Sequence, residues 1–213
     1  MKIETLHLYH IYNQGNNRQK IFIRENNYVF FIEKIKKHIL PYADVLAWCL
    51  MPNHFHLMVE VHTLSRSTTY SKNSNESKGL SRTTTSALSS TTFNKSIGIL
   101  LTSYTRAINI QENKSGSLFR PHTKAICLTQ QQGITPSFFN TNSGTVLYQS
   151  IPEKEYPITC FNYIHNNPVA AGLVKHLADW PYSSFNEFLG LGGYGLANIQ
   201  KAKEFGLMIE GVG

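Results

Sequence analysis

The 213-residue sequence contains no apolar run that approaches the roughly 20 residues needed to cross a bilayer. A helical membrane protein is therefore excluded as a reading. Met1-Lys-Ile-Glu-Thr5 lacks the charged-then-apolar pattern of a secretory leader, and the expected location is cytoplasmic. Cysteine is sparse. Cys49, Cys127 and Cys160 are odd in number, widely spaced and set in apolar neighbourhoods, which argues against a disulfide framework or a cysteine zinc site. Acidic residues are also few, 13 against 20 Lys and Arg, giving a net charge of +7 and a pI near 9.3. That balance favours a polyanionic partner without identifying one.

Large apolar residues nearly vanish between 63 and 92, where seventeen of thirty residues are Ser or Thr. Such a stretch cannot bury enough surface to offset its ordering entropy. Residues 129–157 are similarly rich in Gln, Thr, Ser and Asn, with a short strand expected at 145–148. Both stretches read as flexible inserts in one domain spanning 1–213, because the elements on either side are needed together.

Elsewhere the pattern mixes strands and helices. Residues 5–12 read as a first strand and 13–18 as a turn. A helix capped by Asn26 or Asn27 runs to about Leu40, with Phe30, Phe31, Ile35 and Ile39 near helical spacing and Pro41 as its stop. Residues 44–50 and 54–61 form two further strands joined by the tight connection 51–53. A helix over 93–111 carries the apolar stripe Ile97, Leu100, Leu101, Tyr104 and Ile108, and Gly116 suits a left-handed turn after it. A fourth strand is expected at 123–128. A short helix at 158–166 should break before Pro168, followed by one more helical turn at 168–173. A short amphipathic helix after Phe185 and a last helix over 198–213 complete the reading.

The strand at 54–61 divides by face. Phe55, Leu57, Val59 and Val61 suit a core, whereas His54, His56, Met58 and Glu60 lie on the other side. Residues two apart on a strand share a face, so the two imidazoles can reach one point. Downstream, Tyr163 and Asn167 stand four apart, the spacing that stacks side chains on one helix face. Two imidazoles, an amide oxygen and a phenol suit Mg²⁺ or Mn²⁺ beside a phosphate better than a closed structural zinc site.

Met51-Pro-Asn-His-Phe-His56, with Tyr163-Ile-His-Asn-Asn-Pro-Val-Ala-Ala-Gly-Leu-Val174 downstream, resembles the single-tyrosine HUH transposases, and among them the REP-associated tyrosine transposases. The opening strand, the helix around Tyr104, Gly116 to Arg120, and Asn162 to Phe188 share in the likeness; the two inserts do not. The resemblance implies an α+β, ferredoxin-like antiparallel sheet with helices on one face, the histidines at its centre and the tyrosine on a helix facing them. It implies cleavage and rejoining of single-stranded hairpin DNA through a 5′-phosphotyrosine, with Tyr163 as nucleophile and His54, His56 and Asn167 as metal ligands. His165 and Lys175 are possible helpers of the phenol. DNA contacts would come from among Arg18, Arg24, Arg106, Lys114, Arg120 and Lys124. The protein would work in a prokaryotic cytoplasm, at the nucleoid when on DNA, as a monomer or homodimer and without a membrane. Ala170 and Ala171 stand where many members of that family carry a basic residue.

Other readings of the same residues stay open. His54 and His56 could be ordinary strand histidines, Asn167 a helix N-cap before Pro168, and Tyr163 a packed aromatic. Tyr104 is a competing nucleophile, but it falls on an apolar stripe and Ile108, four residues on, cannot bind metal. Two further functions remain: a non-catalytic nucleic-acid binder, and a small metal-dependent hydrolase in which Tyr163 is only structural.

Overall fold

The computed structural model of the protein describes residues 2–68, 89–129, 137–141, 144–148 and 156–209. Strand β1 (Leu8–Gln14) begins three residues later than its composition suggests, because Leu6 takes a left-handed φ of 63° just before it. Asn13 and Gln14, expected in a turn, instead pair with Phe55 and His54. Helix α1 (Glu25–His38) follows. Asn27 braces its start from inside, its Oδ1 accepting the backbone N–H groups of Ile23 (3.1 Å) and Arg24 (2.9 Å). Phe31, Ile32 and Ile35 of α1 are fully buried, each worth about 1.5–3 kcal/mol by area removed from water. Phe30, expected on that face, is 39% exposed and lies under the Lys34 ammonium, 4.7 Å from its ring centre.

Strands β2 (Ala43–Met51) and β3 (His54–Val61) form a hairpin through Pro52 and Asn53. Beyond it, β4 (Ser65–Thr68) and β5 (Ser89–Thr92) pair antiparallel, with Ser65 opposite Thr92. The two ends of the Ser/Thr-rich stretch thus form a ribbon; its centre lies outside the described residues. The Thr92 hydroxyl caps helix α2 (Phe93–Gln111) by accepting the Lys95 N–H. Gly116 then turns the chain at φ 92°, and β6 (Lys124–Cys127) follows. In the second polar stretch, β7 (Ser137–Thr141) and β8 (Gly144–Tyr148) pair as a hairpin, β8 covering the expected strand. Helix α3 (Tyr156–Ala170), α4 (Phe185–Phe188) and α5 (Ile199–Glu204) complete the described chain.

The main sheet has the order β2-β3-β1-β6, with every pairing antiparallel. Traced as β1-α1-β2-β3-α2-β6, it is the ferredoxin-like arrangement. Its two faces hold different cores. On one, Tyr9 and Ile11 of β1 and Phe55, Leu57, Val59 and Val61 of β3 meet α1 and α2. On the other, Leu8, Met58, Cys49 and Met51 meet Cys160, Phe161 and Ile164 of α3 and Ala202 of α5. A register shift between Val45 and Ala47 turns both Leu46 and Ala47 toward this second core. The histidine face is therefore roofed by α3.

Helix α3 runs through Pro168 rather than stopping before it. The proline lies in the last turns, so its missing N–H leaves only the Ile164 carbonyl without its helical donor. Ala171 N–H still reaches the Asn167 carbonyl and Leu173 N–H the Pro168 carbonyl, and Gly172 closes the helix at φ 67°. The expected last helix is shorter than its composition suggests. Asn198 caps it by accepting the Lys201 N–H, and Gly206, at φ 70°, turns the chain after Glu204.

Candidate active site

Helix α3 packs across the second face of the sheet against β2 and β3, and this brings the two distant motifs together over the start of β3. The Tyr163 ring stands edge-on to His56, with 5.4 Å between ring centres. His54 and His56 are themselves 4.9 Å apart at 86°. Asn167 lies one turn beyond Tyr163, close enough to the His54 ring and the Tyr163 phenol to shift the protonation of both. Its Nδ2 also donates to the Tyr163 carbonyl at 2.9 Å. Asn167 is thus an interior helix residue, not an N-cap. His54, Tyr163 and Asn167 are partly exposed above a buried His56, so the cluster has a dry floor and an open mouth. All four residues belong to one chain; bringing the tyrosine to the histidines requires no second copy.

Two residues that the sequence reading missed complete this floor. His10 of β1 is buried, and its Nε2 lies 2.9 Å from His56 Nδ1. Tyr12 pairs directly opposite His56, with 5.8 Å between their rings. The only trace of either in the sequence is a polar pair on the Leu8 face of an otherwise apolar strand.

Burial sets the protonation of the cluster. It lowers His10 to about 3 and His56 well below the ordinary imidazole value, the latter helped by the neighbouring His54 and His10. It lowers His54 to about 4 despite an opposing hydrogen bond to Asn167. All three rings are neutral at pH 7. Burial pushes the Tyr163 phenol up to about 12, with the Asn167 hydrogen bond pulling the other way. The phenol therefore needs a nearby positive charge before it can ionise near neutrality.

The donor set fits a divalent cation. His56 Nε2 is buried without a hydrogen-bond partner, the state of an imidazole nitrogen that a cation would satisfy. Among the described residues no three His, Cys, Asp or Glu side chains gather around one point. A cation here would draw on His54, His56 and an oxygen such as that of Asn167, a set suited to Mg²⁺ or Mn²⁺.

The remaining expected residues are dispersed. Tyr104 lies in the opposite core, fully buried, its hydroxyl donating to the Ile21 carbonyl at 2.8 Å. His165 turns away from the cluster, its Nε2 2.8 Å from Ser184 Oγ and its ring against Phe161 and Phe188. Lys175 is exposed beyond the end of α3. Lys124 stands opposite Tyr12, and the Arg18 carbonyl contacts Asn53 beside His54. Arg106 and Lys114 line a groove along α2, and Arg120 an adjoining one of about 540 Å³. Arg24 is engaged in an exposed ion pair with Glu112 at 3.1 Å.

The fold and this face together define a ferredoxin-like domain with a His-x-His strand under a tyrosine-bearing helix. No protein-family model and no curated protein matches the sequence. A solved structure of the REP-associated tyrosine transposase bound to a REP hairpin is similar in fold, with a TM-score of 0.52 over 92% of this chain and 87% of that one, at 16% identity. No described helix is long and apolar enough to cross a membrane.

Proposed function

We propose that the protein is a single-tyrosine transposase that cleaves and rejoins single-stranded hairpin DNA. The observation that carries this reading is the meeting of Tyr163 and Asn167 with His54 and His56 on one sheet face. The fold it shares with the hairpin-bound transposase adds support.

His54 and His56, with the Asn167 amide oxygen, would hold Mg²⁺ or Mn²⁺. When bound, the cation supplies positive charge that polarises a phosphate and lowers the cost of ionising a phenol. The chain's own residues do the rest. α3 holds the Tyr163 ring against the histidine face, with Asn167 one turn along the same helix. The Tyr163 oxygen forms a bond to phosphorus while the bond to the 3′-oxygen breaks. The phenol's proton ends on the departing 3′-hydroxyl, and the DNA remains as a 5′-phosphotyrosine. Attack by another 3′-hydroxyl reverses these changes and joins strands without an external energy source. Lys124, across β1 from His56, and Arg120, whose N–H reaches the carbonyl of Gln14 opposite His54, would contact the phosphates of the entering strand, and Arg18, Arg24, Arg106 and Lys114 would extend the contact along the DNA.

The test is incubation of the protein with end-labelled single-stranded hairpin DNA and Mn²⁺, followed by denaturing electrophoresis. A covalent adduct that a chelator abolishes is expected. Cleavage without an adduct would favour a metal-dependent hydrolase, and binding with neither an inert DNA-binding protein.

A further inference from the structure

We infer that His10 and Asn53 are positioning residues. Each accepts the Nδ1–H of one site imidazole, His10 from His56 and Asn53 from His54, so that both Nε2 lone pairs face the cation. The inference rests on the reading of His54 and His56 as metal ligands.

A neutral imidazole has one proton shared between two candidate nitrogens, and ligation through Nε2 requires it on Nδ1. In metal sites the partner of the non-ligating nitrogen decides this. At His54 that partner is Asn53 Oδ1, 2.6 Å from Nδ1. The Asn53 Nδ2 faces the Arg18 carbonyl at 3.4 Å, which sets the amide with its oxygen toward the ring. An amide oxygen only accepts, so His54 Nδ1 carries the proton. The asparagine that ends the β2–β3 turn therefore has a second task beyond the turn itself.

At His56 the partner is His10 Nε2, at 2.9 Å. Two arrangements are possible. If His10 donates, the His56 proton sits on Nε2, a buried atom without an acceptor. If His56 donates, that same buried atom is a lone pair, on a ring centred 5.4 Å from that of Tyr163 and 4.9 Å from that of His54, ready for a cation. Only the second arrangement makes use of the orphaned nitrogen. The placement of His10 fits this role. It shares the sheet face of Leu8, where an apolar residue would pack without loss, yet it is a buried imidazole stacked 5.0 Å from His56.

The test uses the full chain with ¹⁵N-labelled histidine. Long-range ¹H–¹⁵N spectra, recorded with chelator present, report which nitrogen of each ring is protonated. Calorimetry with Mn²⁺ then reports affinity independently of DNA cleavage. The wild-type protein is expected to show His54 and His56 both protonated on Nδ1. His10→Leu, which has no acceptor, should move the His56 proton to Nε2 and weaken Mn²⁺ binding about 10- to 100-fold. His10→Gln, whose carbonyl can accept, should restore both. Asn53→Ala should release the His54 proton from Nδ1 in the same way. A wild-type His56 protonated on Nε2 would overturn the inference without recourse to any variant. So would a His10→Leu spectrum in which His56 is unchanged. Wild-type protein with the expected protonation but no Mn²⁺ binding would leave these hydrogen bonds as assigned and sink the metal-site reading instead.

Discussion

The Asn167 amide donates to the carbonyl of Tyr163, one helical turn earlier, at 2.9 Å. This bond lies in the turn that Pro168 weakens, and it ties the side chain next to the proline to the backbone of the residue that faces His56. The same side chain lies beside the His54 ring and the Tyr163 phenol and shifts the protonation of both. One side chain thus braces the helix end and borders both the tyrosine and the histidine.

The two tyrosines on helices should separate cleanly. Tyr104→Phe removes the donor to the buried Ile21 carbonyl, so it should cost about 1–3 kcal/mol in urea unfolding while leaving any DNA adduct intact. Tyr163→Phe, at a partly exposed position, should cost less than about 1 kcal/mol. A Tyr104→Phe protein of unchanged stability would contradict the packing described here.

The loop after α3 anchors the site helix. Ser184 Oγ accepts the Trp48 N–H at 3.0 Å and lies 2.8 Å from His165 Nε2, linking α3 to the outer edge of β2. Leu50 N–H and the Trp180 indole reinforce the same seam through the Tyr182 and Leu50 carbonyls. Ser184→Ala leaves two buried nitrogens unpaired and should cost about 2–4 kcal/mol, read by urea unfolding. A loss under about 0.5 kcal/mol would show that the seam does not hold the helix.

Glu187 closes the glycine-rich bend by accepting backbone N–H groups of Tyr194, Leu196 and Ala197. At Gly193 a Cβ would fall 2.4 Å from Glu187 Cγ, at a φ of 148°. Gly193→Ala should therefore destabilise by about 1–3 kcal/mol, whereas Gly190→Ala, with open space around it, should cost only its left-handed φ, about 1 kcal/mol. Equal effects in thermal unfolding would count against the cradle around Glu187.

Stability of the metal-free protein should fall as pH drops below about 6.5. His10 and His165 are lowered to about 3 and His54 to about 4, each by burial. Above pH 6.5 these rings are neutral whether folded or not, and they contribute no pH dependence. Below it the unfolded chain takes up protons that the folded chain refuses, so unfolding gains up to about 1.4 kcal/mol per pH unit for each ring. Urea unfolding with chelator at pH 7.5, 6.5, 5.8 and 5.0 isolates this window above the carboxylate range. A flat profile would mean that the imidazoles are not held neutral.

Much of the site was legible because it rests on local periods. The two-residue period of β3 places His54 with His56, and the four-residue spacing on α3 places Tyr163 with Asn167, whatever the rest of the chain does. His10 and Tyr12 were not legible, since their meeting with His56 depends on the β1–β3 register, a tertiary fact. The helix break before Pro168 failed for a related reason. Local preference disfavours helix there, but packing of Phe161 and Ile164 in the second core carries the helix past it. Phe30 misled because it neighbours Phe31, but only Phe31 keeps the four-residue spacing to Ile35 and Ile39, and Phe30 lies at the edge of that face.

The measurement that bears most directly on the central claim is peptide mapping of the covalent protein–DNA adduct formed with Mn²⁺. Mass spectrometry of the protease-digested adduct should place the nucleotide on the peptide carrying Tyr163, and Tyr163→Phe should abolish the adduct. Attachment to Tyr12, the other phenol beside His56, or to Tyr104 would contradict the account.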